Sequence, residues 1–351
     1  MTNAEILFER RGKAGLVILN RPAQLNALSH AMVHALSQRL AAWETDPAVC
    51  HVVVMGAGEK AFCAGGDVRK IAELGMAGRR AEAIAFWRDE YRLNAQIKRY
   101  PKPYVALIDG IVMGGGAGIS VHGSHRVAGD RLLFAMPEVG IGFCPDVGGS
   151  FFLSRLPDAL GIYLALTGAR LHADDATKAG LATHRVPSAR FGALLEGLTQ
   201  TDAVDPVLAA LSQPLSEGPV WRRREAIARL FAGATVEDIL AALDAEASSN
   251  GADADFARDT AATIRTKSPT SLKLALAEMQ AGKTLDLISC LNLEFRMATR
   301  VMQGHDFYEG IRALLIDKDN KPRWKPASLA DIGKADIAAH FAPLLEDAIP
   351  Q

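Results

Sequence analysis

The first half of the chain alternates short apolar runs with amphipathic stretches, and this alternation limits the folds open to it. Three runs are apolar without a break, at residues 16–19 (LVIL), 52–55 (VVVM) and 104–108 (YVALI). A strand that is apolar at every position is buried on both faces, which is typical of a parallel sheet covered by helices. The order of strands and helical stretches therefore predicts an α/β fold with a largely parallel sheet.

Helical signals occupy the segments around these runs. Ser29 is a typical N-cap residue. The apolar residues that follow it on one helical face are Met32, Val33, Leu36, Leu40 and Trp43. Helical patterns also cover about residues 79–100 and 285–302, and the glycines at 114–116 open a short helix.

Strand signals fade in the second half of the chain. Residues 190–265 are rich in Ala and Leu, with charges at helical spacing. Ser268 and Pro269 then predict a helix start, as N-cap and first helical residue. We therefore predict a core over residues 1–190 and a helical C-terminal region over residues 191–351.

Composition limits the kinds of partner. The formal net charge of −1 over 351 residues gives no basic field for a nucleic acid. No apolar run reaches the roughly 18 residues that span a membrane, and residues 1–10 lack a signal-peptide core. Cys50, Cys63, Cys144 and Cys290 lie far apart, without metal-ligand spacing, so we expect free thiols in a reducing compartment. These features predict a soluble, cytoplasmic protein that binds neither nucleic acid nor membrane.

Two glycine-rich loops follow apolar strands, at residues 56–67 (GAGEKAFCAGGD) and 109–118 (DGIVMGGGAG). Glycine lets the backbone approach a bound group closely, and a triple glycine entering a helix adds unsatisfied N–H groups. Each loop could therefore supply one donor to a developing oxyanion. Taken alone, either loop is also explained as a tight turn without a ligand. The first loop also resembles a dinucleotide-binding fingerprint. The acidic residue expected about 20 residues later is missing, so we reject a dinucleotide site.

The stretch at residues 134–149 (FAMPEVGIGFCPDVGG) sets Glu138 and Asp146 among apolar residues and glycines. Apolar surroundings disfavour the charged form of a carboxylate and so poise it for proton transfer. The alternative is that both carboxylates lie on a loop surface or cap a helix.

Residues 118–122 (GISVH) nearly match a serine-nucleophile motif. However, the final glycine is missing and Ser120 falls inside a helix, so we assign it no catalytic role.

Together these motifs resemble the crotonase (enoyl-CoA hydratase/isomerase) superfamily. The shared motifs lie at residues 19–22 (LNRP), 25–28 (LNAL), 61–67 (AFCAGGD), 113–116 (MGGG) and 136–138 (MPE). The chain is most similar to the 3-hydroxyisobutyryl-CoA hydrolase branch. The motifs that carry this closer resemblance are 102–107 (KPYVAL), 120–123 (SVHG), 145–149 (PDVGG), 268–273 (SPTSLK), 304–307 (GHDF) and 309–319 (EGIRALLIDKD). Only the segment of about residues 190–265 is poorly covered.

The resemblance implies a crotonase-like spiral of ββα units with a helical C-terminal region. It also implies hydrolysis of 3-hydroxyisobutyryl-CoA to 3-hydroxyisobutyrate and CoA, a step of valine breakdown. By motif position, the N–H groups of Gly66 and Gly115 would form the oxyanion hole, and Glu90 would contact the substrate. Glu138 would be the principal catalytic carboxylate, with Asp146 as its partner. Glu138 would act either as a base for water or as a nucleophile through a transient anhydride.

One departure from the hydratases bears on the reaction. Gly118 stands where those enzymes carry a second glutamate. Hydration needs one group to activate water and another to protonate carbon, so a hydratase or isomerase is the rival that we favour less. A non-catalytic acyl-CoA-binding scaffold is a second rival, disfavoured because both carboxylates and both glycine loops are intact.

The resemblance also bears on ligands and assembly. The loop at residues 21–26 would border the CoA moiety of an acyl-CoA substrate. No metal and no redox cofactor is implied, since CoA is part of the substrate. Members of the superfamily often form trimers or hexamers, and the sequence leaves a homo-oligomer open.

Overall fold

The computed structural model describes residues 4–349 of the chain. The strands in that range are β1 (Ile6–Arg11), β2 (Ala14–Leu19), β3 (His51–Gly56), β4 (Ala61–Cys63), β5 (Tyr104–Ile108), β6 (Ile111–Met113), β7 (His125–Ala128), β8 (Leu133–Ala135) and β9 (His184–Arg185). The three predicted apolar runs lie in β2, β3 and β5, so these predictions are confirmed. The signal-peptide prediction rests partly on residues 1–3, which lie outside the described residues.

The helices of the same range are α1 (His30–Thr45), α2 (Val68–Met76), α3 (Arg80–Lys98), α4 (Gly115–Val121), α5 (Gly149–Phe152), α6 (Leu160–Thr167), α7 (Ala173–Lys178), α8 (Phe191–Gln200), α9 (Val204–Leu211), α10 (Arg224–Leu230), α11 (Val236–Ala247), α12 (Ala254–Arg265), α13 (Pro269–Gly282), α14 (Leu287–Val301), α15 (Asp306–Ile311) and α16 (Lys334–Phe341). After β9 no further strand occurs up to residue 349. The predicted helical C-terminal region is therefore confirmed.

The strands form two sheets. The larger sheet has the order β1-β2-β3-β5-β7-β9, and the smaller has the order β4-β6-β8. Neighbouring strands run parallel except for β1 and β2, which pair antiparallel with Ile6 opposite Leu19. The predicted parallel sheet is thus confirmed, with one antiparallel edge. β1 carries no strand signal in the sequence, because only Ile6 of this edge strand is buried and no apolar run marks it.

Successive strand pairs repeat one arrangement. β3, β5 and β7 enter the larger sheet, and the strand that follows each of them enters the smaller sheet. Helices α2 and α3 follow the first pair, and α4 follows the second. This repeat is the predicted spiral of ββα units.

The predicted helix starts are confirmed by their caps. Ser29 Oγ accepts the N–H of Met32 at 3.2 Å, and Ser268 Oγ accepts the N–H of Ser271 at 3.1 Å. Pro269 is the first residue of α13. The five apolar residues predicted for one face of α1 are its buried residues. Each cap gives an acceptor to an N–H group that would otherwise lack one, so both helices begin where the sequence predicts.

The chain divides into two compact units. The first comprises Met1–Asp67, Asp89–Ala135 and Arg170–Trp221, and the second comprises Val68–Arg88, Met136–Ala169 and Arg222–Gln351. All the strands of residues 4–349 belong to the first unit, where apolar side chains of β2, β3, β5 and β7 pack against α8 and α9. The predicted division at residue 190 stays a prediction.

No helix between residues 4 and 349 is both long and apolar enough to span a membrane. The four cysteines are free, as predicted.

Candidate active site

The two glycine loops of the first unit touch because of the strands that precede them. β4 ends at Cys63 and β6 ends at Met113, and these strands are parallel neighbours in the smaller sheet. The chain therefore leaves both strands at the same edge of that sheet. A Cβ atom on Gly65 would lie 3.3 Å from the Met113 carbonyl oxygen and 3.7 Å from the Gly115 nitrogen. The two loops predicted from the sequence are in direct contact.

Backbone geometry requires glycine at this contact. Gly65 has a φ of +112° and Gly114 has a φ of +46°, a region that side chains disfavour. A Cβ atom on Gly116 would collide with the carbonyl oxygen of Cys63. The triple glycine therefore permits the close approach of α4 to the end of β4.

The N–H groups of Gly66 and Gly115 point away from local backbone acceptors. Leu28 donates its N–H to the Gly65 oxygen at 2.8 Å and accepts the N–H of Asp67 at 2.9 Å. In such a parallel bridge the intervening Gly66 turns its own N–H away from Leu28. Gly115 is the first residue of α4, where an N–H has no acceptor within the helix. This arrangement suits two donors to one oxyanion.

Glu90 lies beside the same loops. It belongs to α3, is 2% exposed, and would collide with a Cβ atom on Gly115 through its Oε1. Burial, with a smaller effect of the Glu90 charge, raises the pKa of the nearby Cys63 thiol to about 12. Cys63 therefore stays protonated at neutral pH and is no nucleophile. The structure brings together three residues of the predicted site, Gly66, Gly115 and Glu90.

The loop at residues 21–26 is fixed to the first glycine loop. The buried Asn26 donates its Nδ2 to the carbonyl oxygen of Ala61 at 2.9 Å. Arg21 pairs with Asp67 at 3.1 Å. These contacts order the loop, while its contact with CoA stays a prediction.

Glu138 and Asp146 belong to the second unit. Glu138 begins a short 3₁₀ helix, Glu138–Ile141, and its carbonyl oxygen accepts the N–H of Phe143 at 3.0 Å. Both carboxylate residues are 6% exposed. The alternative of a loop-surface position is therefore excluded for both.

The surroundings of Glu138 favour its protonated form. Burial, followed by the charge of Asp146, raises the pKa of Glu138 well above its ordinary value. Its Oε2 has no hydrogen-bond partner among the described residues. A buried carboxyl group with an unbonded oxygen beside a second carboxyl group is suited to holding and transferring a proton.

Two further buried glutamates belong to this cluster and are not predicted from the sequence. They are Glu278 on α13 and Glu294 on α14, both fully buried. Burial, with the charge of Glu294 next, raises the pKa of Glu278 well above its ordinary value, and burial raises that of Glu294 to about 8. The signal that could reveal Glu294 is its place in an apolar stretch, residues 291–295 (LNLEF), whose side chains are all buried.

Ser120, to which the sequence assigns no catalytic role, is hydrogen-bonded within its own helix. The Ser120 hydroxyl donates within its own helix to the carbonyl oxygens of Gly116, at 2.8 Å, and Ala117, at 3.1 Å. Ser120 is fully buried. These bonds agree with the absence of a catalytic role for Ser120.

Three residues of the first unit could hold a metal ion. His30 Nε2 and His34 Nε2 lie 2.7 Å and 3.2 Å from Asp89 Oδ2, and the three ligand atoms lie within 4.8 Å of one another. Imidazole and carboxylate are ligands that zinc takes. The same distances are those of ordinary ion pairs and hydrogen bonds, which account for the cluster without an ion. That no metal takes part in the chemistry stays a prediction.

A ββα spiral with two amide donors between its glycine loops is the architecture of a crotonase-class enzyme. The enoyl-CoA hydratase/isomerase family matches the chain over residues 14–341. The chain therefore belongs to the crotonase (enoyl-CoA hydratase/isomerase) family, as its motifs predict. It is 45% identical to a mitochondrial 3-hydroxyisobutyryl-CoA hydrolase of Danio rerio, over 98% of this chain and 91% of that protein. The Homo sapiens protein of the same name is 43% identical, over 97% and 89%.

Solved structures agree with this fold. A carnitinyl-CoA dehydratase from Mycobacterium thermoresistibile is 44% identical, with a TM-score of 0.94 over 99% of both chains. An enoyl-CoA hydratase from Rhodobacter sphaeroides 2.4.1 is 38% identical, with a TM-score of 0.90 over 97% of this chain and 98% of that one. The predicted crotonase-like fold and the predicted hydrolase branch are thus confirmed.

The predicted cytoplasmic location is wrong. The curated relatives are named as mitochondrial proteins, which contradicts it. The prediction rested on an ordinary net charge, on free thiols, and on the lack of a membrane-spanning run and of a signal-peptide pattern in residues 1–10. These features suit any reducing aqueous compartment, so they could not single out the cytoplasm.

Proposed function

We propose that this chain hydrolyses 3-hydroxyisobutyryl-CoA to 3-hydroxyisobutyrate and CoA, a step of valine breakdown. The observation that carries the proposal is the buried carboxyl pair Glu138 and Asp146. It occurs in a chain 45% identical, over nearly its whole length, to a hydrolase named for this substrate. Thioester hydrolysis needs a group that activates water or attacks the carbonyl, and a stabiliser for the resulting oxyanion.

Each residue of the candidate site then has a role. The N–H groups of Gly66 and Gly115 stabilise the negative charge that develops on the thioester oxygen. Glu138 is the catalytic carboxylate, and its unbonded Oε2 supports that role. Asp146 orients the hydroxyl group of the substrate. Glu90, buried against Gly115, contacts the acyl portion.

Two routes are open to the ionised form of Glu138, which its raised pKa makes a stronger base than an ordinary glutamate. As a base, it takes a proton from water, hydroxide adds to the thioester carbon, and the collapsing intermediate expels CoA thiolate, which takes that proton. As a nucleophile, it displaces CoA thiolate to form an anhydride. Water then hydrolyses the anhydride to two carboxyl groups, and the proton of the Glu138 carboxyl group passes to the thiolate. A single turnover in ¹⁸O-water distinguishes the routes, because only the anhydride route can leave ¹⁸O in the Glu138 carboxyl group.

Hydration of an enoyl-CoA is the second candidate, because two solved relatives carry the names of a dehydratase and a hydratase. Gly118 argues against it. This residue lies buried within α4 and supplies no second carboxylate there. Loss of the enoyl absorbance of crotonyl-CoA measures the hydratase activity directly.

Thiol release across a panel of short acyl-CoA esters tests the proposal. We expect the highest kcat/KM for 3-hydroxyisobutyryl-CoA and lower values for esters without the hydroxyl group. If no ester of the panel releases CoA while crotonyl-CoA is hydrated, the hydrolase proposal is wrong and the second candidate is supported.

The proposed chemistry uses amides and carboxylates of the chain alone. We therefore propose that no metal and no redox cofactor takes part, and that dialysis against a chelator leaves turnover unchanged. The sequence leaves a homo-oligomer open. Analytical ultracentrifugation measures the oligomeric state of the purified protein.

A further inference from the structure

The turn that follows Asp146 is held by a side chain from α14. Glu294 Oε2 accepts the N–H of Gly148 at 2.7 Å. Glu294 Oε1 accepts both the N–H of Ser150, at 2.9 Å, and its O–H, at 2.5 Å. Glu294 and Ser150 are fully buried. Hydrogen bonds are electrostatically stronger in such a setting than in water, so this carboxyl group fixes the turn firmly.

The turn needs this support because its backbone is strained. Val147 has a φ of +54° and Gly148 a φ of +85°. A β-branched residue is rarely found in this region, and it persists there only when its surroundings fix it. The N–H of Gly149 closes the turn on the Asp146 carbonyl oxygen at 2.7 Å. The bonds made by Glu294 are therefore connected, through this turn, to the backbone of Asp146 at its start.

We propose that Glu294 is a positioning residue that orients the Asp146 carboxylate through the turn at residues 147–150. This inference rests on the proposed function, in which Asp146 acts on the bound ester. Glu294 acts through its hydrogen bonds to Gly148 and Ser150 and has no role in the proposed chemistry itself.

Glu294→Gln tests the inference without opening a cavity, because the two side chains have the same size. Each Glu294 oxygen accepts a backbone N–H. Either orientation of the glutamine amide therefore sets its NH₂ group against one of those donors. We expect kcat for 3-hydroxyisobutyryl-CoA to fall on the order of tenfold to a hundredfold, while KM changes little. A loss of this size is expected when a group such as Asp146 is displaced by about 1 Å.

Glu278→Gln is the matched control. Glu278 is equally buried in the same cluster, but neither of its oxygens has a hydrogen-bond partner in the described part of the chain. Glutamine has the size of glutamate, and its introduction here breaks no hydrogen bond to the described residues. We therefore expect this variant to keep a kcat near that of the wild type.

A double variant separates positioning from a general structural role. If Glu294 acts through Asp146, then Glu294→Gln added to Asp146→Asn lowers kcat no further than Asp146→Asn alone. Losses that multiply would overturn the proposal. If Glu294→Gln does not fold, Ser150→Ala replaces it in the same cycle. Ser150→Ala removes one of the three hydrogen bonds to Glu294, so we expect a smaller loss of kcat. Added to Asp146→Asn, it should likewise lower kcat no further.

Hydrogen exchange tests the turn without turnover. We expect Glu294→Gln, but not Glu278→Gln, to speed amide exchange in the peptide that covers residues 146–152. If the wild type releases no CoA, the proposed function fails. Faster exchange in Glu294→Gln would still support the role of Glu294 in fixing the turn. A variant with wild-type exchange and wild-type kcat would overturn the inference.

Discussion

A Cβ atom on Gly115 would lie 3.1 Å from the backbone nitrogen of Gly66. Two loops from different parts of the chain thus bring their amides together. This contact and the closer one with Glu90 Oε1 account for the small residue at position 115. The backbones that carry the two N–H groups proposed as the oxyanion hole therefore lie close together.

Gly115→Pro removes one of these donors. Loss of an oxyanion donor costs roughly 2.7–4 kcal/mol of transition-state stabilisation, so we expect kcat to fall by about 10²–10³-fold. Proline is tolerated at the first position of a helix, which is where Gly115 lies. The Cβ atom of the new ring would collide with Glu90 Oε1, so circular dichroism and a melting curve accompany the assay. A folded variant with full activity would show that the thioester oxygen is held elsewhere.

Glu138→Gln removes the proposed catalytic carboxylate. We expect the fold and the affinity for CoA esters to be kept, while turnover falls on the order of 10²-fold or more. Thiol release and binding are measured on the same preparation. Turnover within a few-fold of the wild type, from folded protein, would rule out the assignment of Glu138.

Asp146→Asn tests recognition of the substrate hydroxyl. On the wild type, esters without that hydroxyl should show a lower kcat/KM. On the variant the two ester classes should differ much less, because the interaction is already lost. If Asp146 only caps the turn, both classes should lose activity equally, in step with a lowered melting temperature.

Glu278→Gln should change how stability depends on pH. Burial raises the pKa of Glu278 in the folded protein above its ordinary value of 4.5, so the folded state binds more protons than the unfolded chain. The contribution of Glu278 to the free energy of unfolding of the wild type therefore falls as pH rises above the ordinary carboxyl range. Glutamine does not titrate, so the variant should gain up to about 1.4 kcal/mol per pH unit over the wild type. Urea unfolding between about pH 5 and pH 8 measures this gain, and a difference that stays constant with pH would contradict it.

The long elements could be predicted because their signals are local. β2, β3 and β5 are marked by continuous apolar runs, and the start of α1 is marked by Ser29. The three-residue strands β4, β6 and β8 could not be predicted, because three residues show no periodicity and pairing alone defines them.

The candidate site could be predicted in part. Glycine at residues 65–66 and 114–116 marks two loops, but their contact follows from the pairing of β4 with β6, which no local pattern shows. Glu278 and Glu294 could not be predicted as buried, because an acidic residue in a helical pattern usually indicates an exposed face. Both residues instead point into the core, where burial and neighbouring carboxyl groups shift their pKa values.

The central claim is thioester hydrolysis by a chain whose essential carboxylate is Glu138. The most direct measurement incubates wild type and Glu138→Gln with 3-hydroxyisobutyryl-CoA and quantifies both CoA thiol and free 3-hydroxyisobutyrate. The proposal predicts that the wild type forms the two products in equal amounts and that the variant forms almost none. Consumption of the ester without release of thiol, or equal product from both proteins, would contradict it.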